Sequence, residues 1–200
     1  MSTNLIGQGI TLVCLLALVA GILWWTHSLN RRRLLRLAEL LDEHGGEVTG
    51  FQVLLLEGHY QGRPVSFRIR LPSGKTQPRA LYVSLDGEAP LSFRIEREGI
   101  MDFLSAKLGL AQDVQVGDED LDRDFQFSSP EPERFASWLS DPEARSNVET
   151  LMRKHGVDML AQGPELCAEL IRFRGREARP ENVRGVLDGL LAVSRTLERA

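Results

Sequence analysis

From Met1 to Asn30 the chain carries no charged side chain, and residues 5–25, LIGQGITLVCLLALVAGILWW, form one apolar run. At about 1.5 Å per residue a helix of this length covers roughly 30 Å, the hydrocarbon thickness of a bilayer. A helix satisfies its own backbone hydrogen bonds, which lipid requires. Trp24 and Trp25 close the run, where amphipathic rings favour the headgroup level, and Arg31, Arg32, Arg33 and Arg36 follow. A cleaved signal peptide carries its basic residues before the apolar run; here they come after it. The pattern predicts a membrane anchor over residues 1–29. Because Lys and Arg beside a span stay on the cytoplasmic side, it also predicts an outside amino terminus and a cytoplasmic domain.

The pattern then becomes helical over residues 30–43, a basic juxtamembrane helix within 30–46 that Gly45 and Gly46 would end. Leu34, Leu37 and Leu41 share a face, with Leu40 beside them. That stripe either packs on the domain or lies at the membrane interface, and packing is the favoured expectation.

Beyond residue 47 the period falls to two. Residues 48–60, 65–71, 80–85 and 91–96 read as strands separated by turn residues. Val65, Phe67, Ile69 and Leu71 alternate with Ser66, Arg68 and Arg70, the signature of a half-buried antiparallel strand. The short loops suggest a meander, and Gly50 or Gly58 marks a bulge in the long first segment. A short helix is expected over 100–108, small strands at 113–116 and 124–127, and helices over 131–139 and 142–154. A hairpin follows at 157–161 and 166–173, then a final helix over 180–198. The expectation is an α+β fold in which residues 47–200 form one domain.

Composition narrows the function classes. The 200 residues are 42% hydrophobic and 26% charged, which excludes a wholly disordered chain. Cys14 and Cys167 are too few for a disulfide scaffold, and a formal charge of -4 argues against nucleic acid as a partner. The densest chemical group is the acidic segment 117–124. Asp118, Asp120 and Asp122 sit at the first, third and fifth positions of a calcium loop, but Arg123 and Ser129 occupy the positions that need Gly and Glu. A solvated turn is the favoured reading there, with a divalent cation as the competing one. Ser73-Gly74-Lys75-Thr76 lacks the earlier glycine and following helix of a phosphate loop. Four scattered histidines offer no metal spacing. No catalytic set and no cofactor is implied.

Two stretches carry a resemblance. Tyr60-Gln61-Gly62-Arg63-Pro64-Val65, and Gln112-Asp113-Val114-Gln115-Val116-Gly117-Asp118 running on to Leu121-Asp122-Arg123-Asp124-Phe125, resemble uncharacterised bacterial single-pass membrane-anchored proteins. Their soluble domain carries a Gly-Asp and then a Phe-Asp-x-x-Phe pattern, with Leu121 here in place of the first Phe. The resemblance implies a bacterial inner-membrane location and singles out Gly62, Pro64, Asp113, Gly117, Asp118, Asp122 and Phe125, without implying an activity. The motif also reads as a fold element, in which Leu121, Phe125 and Phe127 anchor a turn shaped by Asp118 and Asp122.

The sequence therefore leads to a binding or structural module at the cytoplasmic face of the membrane. Anionic headgroups would meet Arg31–Arg36, and a protein would be its partner. The alternative is a membrane-tethered enzyme that uses residues 117–124 with a divalent cation.

Overall fold

The computed structural model describes residues 3–43, 47–50, 53–71, 79–87, 89–97, 114–171 and 178–200, with side chains from residue 13 onward. The uncharged run and the leucine-rich segment after it form one helix, α1 (Thr3–Leu37), of 35 residues, about 50 Å long. Its two halves differ in environment. Leu18, Leu23, Trp24 and Trp25 are exposed, and only 6% of the apolar window in Val13–Leu40 is buried. A core helix of a soluble protein is buried, and this one is not; by length and composition it is able to cross a membrane. From Asn30 the same helix enters the domain, where Asn30, Leu34 and Leu37 are fully buried.

The separate juxtamembrane helix expected over 30–43 is therefore the lower end of α1, and its leucine stripe packs on the domain. It also stops earlier than expected. A 3₁₀ turn at Ala38–Leu40 leads to an extended Leu41. Tertiary contacts end it: Leu41 packs on Gly58, the Asp42 N–H donates to the His59 carbonyl at 2.8 Å, and the Asp42 carboxylate accepts from the Gln61 and Gly62 N–H groups at 3.2 and 2.8 Å. Gly45 and Gly46 lie outside the described residues.

One antiparallel sheet of eight strands follows, in the order β1-β2-β3-β4-β8-β7-β5-β6. Its strands are β1 (Val48–Thr49), β2 (Val53–Tyr60), β3 (Arg63–Arg70), β4 (Ala80–Asp86), β5 (Phe93–Arg97), β6 (Phe125–Ser128), β7 (Asp158–Gln162) and β8 (Glu165–Ile171). The long first strand expected over 48–60 is two strands. Gly50 at φ +85° breaks it, and β1 folds back onto β2 with Val48 opposite Leu56. Gly58 is no bulge: it pairs with Val65 and leaves room for Leu41, whose Cδ1 would lie 2.6 Å from an added Cβ.

The expected meander holds for β2, β3 and β4 and then fails. β8 and β7 stand between β4 and β5, because Leu166, Ala168 and Leu170 of β8 match Leu85, Val83 and Leu81 across the ladder. β5 pairs instead with β7 and β6.

Helices α2 (Glu119–Asp124), α3 (Pro132–Leu139), α4 (Pro142–Glu149) and α5 (Pro180–Leu197) complete the fold. The apolar sides of α3, α4 and α5 join the lower end of α1 on one face of the sheet, over Phe67, Ile69, Val83, Phe93, Ile95, Phe127 and Ala168. This is an α+β architecture with helices gathered on one side of an antiparallel sheet.

The helix expected over 142–154 is α4 continued by a π-helical turn, Thr150–His155, closed by Gly156 at φ +65°. Within that turn the Met152 carbonyl accepts from Arg97 Nη2 at 2.7 Å. The helix expected at 100–108 lies outside the described residues, as does Asp113. Residues 114–116 form no strand, although the Val114 N–H donates to the Phe127 carbonyl at 2.8 Å.

Candidate functional site

The residues that the sequence singled out fall into separate places. Trp24, Trp25, Arg31, Arg32 and Arg36 are exposed along α1, and Arg33 donates to Asn30 Oδ1 at 3.2 Å. Asp42 and Leu41 bind the β2–β3 end of the sheet, while Arg33 lies close enough to Arg79 for repulsion to help hold the Arg79 guanidinium below its usual value, after burial. The exposed half of α1 therefore leaves the domain on the side where β3 ends and β4 begins.

The acidic segment is a helix where a loop was expected. Asp118 caps α2: its Oδ1 accepts from the Asp120 and Leu121 N–H groups at 3.0 Å, and Arg145 pairs with its other oxygen. Asp122 turns back to accept from the Val116 and Gly117 N–H groups at 2.9 and 3.0 Å. Asp120 pairs with Arg123 at 2.9 Å. These carboxylates are held by backbone and arginines, and among the described residues no group of three His, Cys, Asp or Glu side chains could hold a metal ion. Calcium or magnesium added to the full-length protein in detergent is therefore expected to leave its melting temperature unchanged, and a saturable rise would revive the cation reading.

The remaining motif residues shape turns and packing. Gly62 takes φ +75° in the β2–β3 turn, Pro64 sits beside it in β3 opposite His59, and Gly117 takes φ +76° before α2. Phe125 is buried beneath Arg153, whose guanidinium lies 5.2 Å from the ring centroid. The structure does not bring the two halves of the motif together. Gly62 and Pro64 lie at one end of the sheet and Phe125 at the other, and Asp113 is not among the described residues.

What the structure does assemble is the second face of the sheet, opposite the helices. Strand register places Arg68, Tyr82, Glu169 and Asp158 in one row across β3, β4, β8 and β7. Ser84, Cys167, Leu160 and Arg94 form the next row. With Arg70, Glu165 and Val53, all of these but Ser84 line a cavity of about 350 Å³, within the range of small-molecule sites.

The charges there are mostly paired end-on. Arg68 Nη2 meets Glu165 Oε1, Arg94 Nη2 meets Glu96 Oε1, and Arg70 Nη2 reaches Glu169 Oε1 at 3.3 Å. The Arg68 and Arg70 guanidiniums also stack on Tyr82, 5.9 and 5.2 Å from its centroid. Arg68, Arg70 and Arg94 each keep an Nε that is shielded from solvent and lacks a hydrogen-bond partner.

Three groups lining this cavity are shifted from their ordinary values. Burial raises Asp158 to about 6, with Glu96 and Glu169 adding repulsion, against one N–H from Arg97 and the charge of Arg94. Burial pushes the Cys167 thiol up to about 11, so it is an unreactive, buried sulfur at neutral pH. Burial also raises the Tyr82 phenol, helped by the negative charge of Glu169, so it stays a hydrogen-bond donor.

Sequence reasoning saw only the Ser66, Arg68 and Arg70 side of this face. The matching signal was Glu165 and Glu169, spaced to face Arg68 and Arg70, but it becomes visible only once β8 is known to pair with β4.

No protein-family model matches the chain, and no curated protein matches it. Among solved structures, the mycobacterial trehalose monomycolate transport factor A, TtfA, shares the arrangement over 76% of this chain and 75% of that one, with a TM-score of 0.52 and 13% sequence identity. At that identity the likeness is one of fold.

Proposed function

We propose that this protein is a single-pass, non-enzymatic module of the bacterial inner membrane, whose α+β domain is held close against the cytoplasmic face and serves a protein partner there. One observation carries the reading: α1 is exposed and apolar over residues 13–25, sets Asn30, Leu34 and Leu37 into the domain core further on, and is unbroken between them. A helix that enters a core without a linker does not merely tether a domain; it limits how far the domain can tilt from the membrane surface. Arg31, Arg32, Arg33 and Arg36 fall where anionic headgroups would meet that surface, at about 1 kcal/mol of attraction each.

The fold likeness to a protein named as a trehalose monomycolate transport factor supports an accessory role in transport at the membrane. The resemblance to uncharacterised membrane-anchored bacterial proteins supports the same location.

The test has two parts. Full-length protein should remain in the membrane pellet after alkaline carbonate washing, and a phosphatase fused to its carboxyl terminus should be silent, as in the cytoplasm. Replacing Arg31, Arg32, Arg33 and Arg36 together by Gln should then raise the phosphatase signal as topology weakens or inverts. Release by carbonate, or an active phosphatase on the unaltered chain, would overturn the proposal.

A further inference from the structure

The polar face of the sheet has a chemistry that selects among ligands. Its arginines and carboxylates are already matched to each other: Arg68 with Glu165, Arg70 with Glu169, Arg94 with Glu96. A free anion entering the cavity would meet guanidiniums that carboxylates already neutralise, beside the further carboxylate of Asp158. A free cation would meet the reverse. Either would have to break existing pairs, and at the more buried ones, Arg94–Glu96 and Arg70–Glu169, stranding a charge is costly.

A neutral hydroxylated molecule faces no such obstacle. Each hydroxyl both donates and accepts, and the lining offers both functions in alternation. Every pair uses a single guanidinium nitrogen and a single carboxylate oxygen, so each keeps hydrogen-bonding capacity that a bidentate contact would consume. Arg94, 8% exposed, and Asp158, 7% exposed, are among the most deeply set charged side chains of the described residues, and among those residues no arginine side chain forms an ion pair with Asp158, whose Oδ1 accepts from the Arg97 N–H at 3.4 Å. Two Glu side chains instead flank it, and burial opposes its charge. A buried carboxylate kept in such a place is a liability to folding that an asparagine would relieve. Val53 and Leu160 add apolar wall to the cavity, as the C–H faces of a sugar require.

We infer that the cavity lined by Arg68, Arg70, Tyr82, Arg94, Asp158 and Glu169 binds a neutral polyhydroxylated group, that is, a sugar, either free or borne by a lipid. Asp158 and Glu169 accept from its hydroxyls, Arg94 donates to them, and the oxygen of the Tyr82 hydroxyl, which itself donates to Glu169, accepts from them. The cavity reaches the end of the sheet from which α1 departs, since Val53 and Arg70 belong to the row of Ala80 and Ile171, next to Arg79 and Arg33. A headgroup at the membrane surface would approach from that end. The lipid-borne source therefore rests on the membrane location proposed above, and the free-sugar source does not.

The experiment uses the full-length chain. In detergent micelles, calorimetric titration with maltose reads the free source. In phosphatidylcholine nanodiscs with or without a diglucosyl diacylglycerol, the melting temperature of the domain reads the lipid-borne source. Binding in the first format, or a glycolipid-dependent rise in the second, is expected. Asp158→Asn and Tyr82→Phe should each weaken it at least tenfold while leaving the melting temperature of the unliganded protein unchanged or higher. Lack of a response in both formats, a response that both variants retain, or saturable binding of inorganic phosphate in place of maltose would overturn the inference. Because membrane association is measured separately by carbonate extraction, an empty cavity in a firmly anchored protein refutes this inference alone.

Discussion

Phe93→Ala is expected to remove about 3–5 kcal/mol of stability from the domain, a large share of the 5–15 kcal/mol that a domain typically has. Phe93 is fully buried in β5 at the centre of an aromatic cluster. Its ring stacks on Trp138 at 5.1 Å between centroids and tilts against Phe135 at 5.3 Å, and Phe135 in turn meets Phe127 at 5.9 Å. Trp138 is fixed from its other side by a buried hydrogen bond from Nε1 to Thr196 Oγ1 at 3.2 Å. The cluster thus locks β5, β6, α3 and α5 together, and the hole left by alanine cannot be filled by a small shift of one neighbour. Urea unfolding of the full-length protein in detergent, followed by tryptophan fluorescence, measures the loss. Phe93→Leu, which keeps most of the volume, should cost less than about 1.5 kcal/mol. Equal midpoints for wild type and Phe93→Ala would mean that the ring lies outside the core.

The second large effect is a gain. Asp158 titrates near 6 in the folded protein against an ordinary value of 3.8. Burial is the main cause, and the facing groups are Glu96 and Arg94 of β5, Glu169 of β8 and the Arg97 N–H. A raised acid binds its proton more tightly when folded. Its contribution is therefore fully present below about pH 4 and is lost as pH rises through about 6. A difference of about two pH units corresponds to about 3 kcal/mol at pH 8. Asp158→Asn should recover about 2–3 kcal/mol there and nothing at pH 4, so the variant and the wild type converge in acid and diverge in base. Urea midpoints at the two pH values read this directly. Parallel pH profiles would show that Asp158 is solvated. A gain in stability together with a loss of sugar binding is the combination expected of a residue kept for a ligand rather than for the fold.

Elements whose stability is local were legible in the chain. The β7–β8 hairpin around Gly163, the alternation in β3 and the stripe of Val183, Val186, Leu187, Leu190 and Leu191 in α5 each follow from a period and a turn residue in a short window. Elements decided by distant partners were not. The 48–60 segment splits because β1 gains more by folding back on β2 than by extending it. The acidic run becomes α2 because Asp118 finds two N–H groups to cap and Arg145 arrives from α4. The fourth strand of the expected meander leaves β4 because the ladder of β8 fits there better.

The candidate cavity shows the same division. Its arginines and carboxylates come from four strands that no window of sequence contains together, so the chain itself displayed only charges alternating with apolar residues.

The sequence by itself determined that an uncharged stretch long enough to cross a bilayer precedes a cluster of arginines, and that an α+β domain follows. These are properties of hydropathy and period, additive along the chain and independent of its path. The tertiary structure alone decided that the apolar helix runs unbroken into the core, that β7 and β8 separate β4 from β5, and that Asp158 is buried beside Glu96 and Glu169. Desolvation, charge pairing and ladder register depend on which residues become neighbours, and neighbours across a sheet are chosen by the fold as a whole.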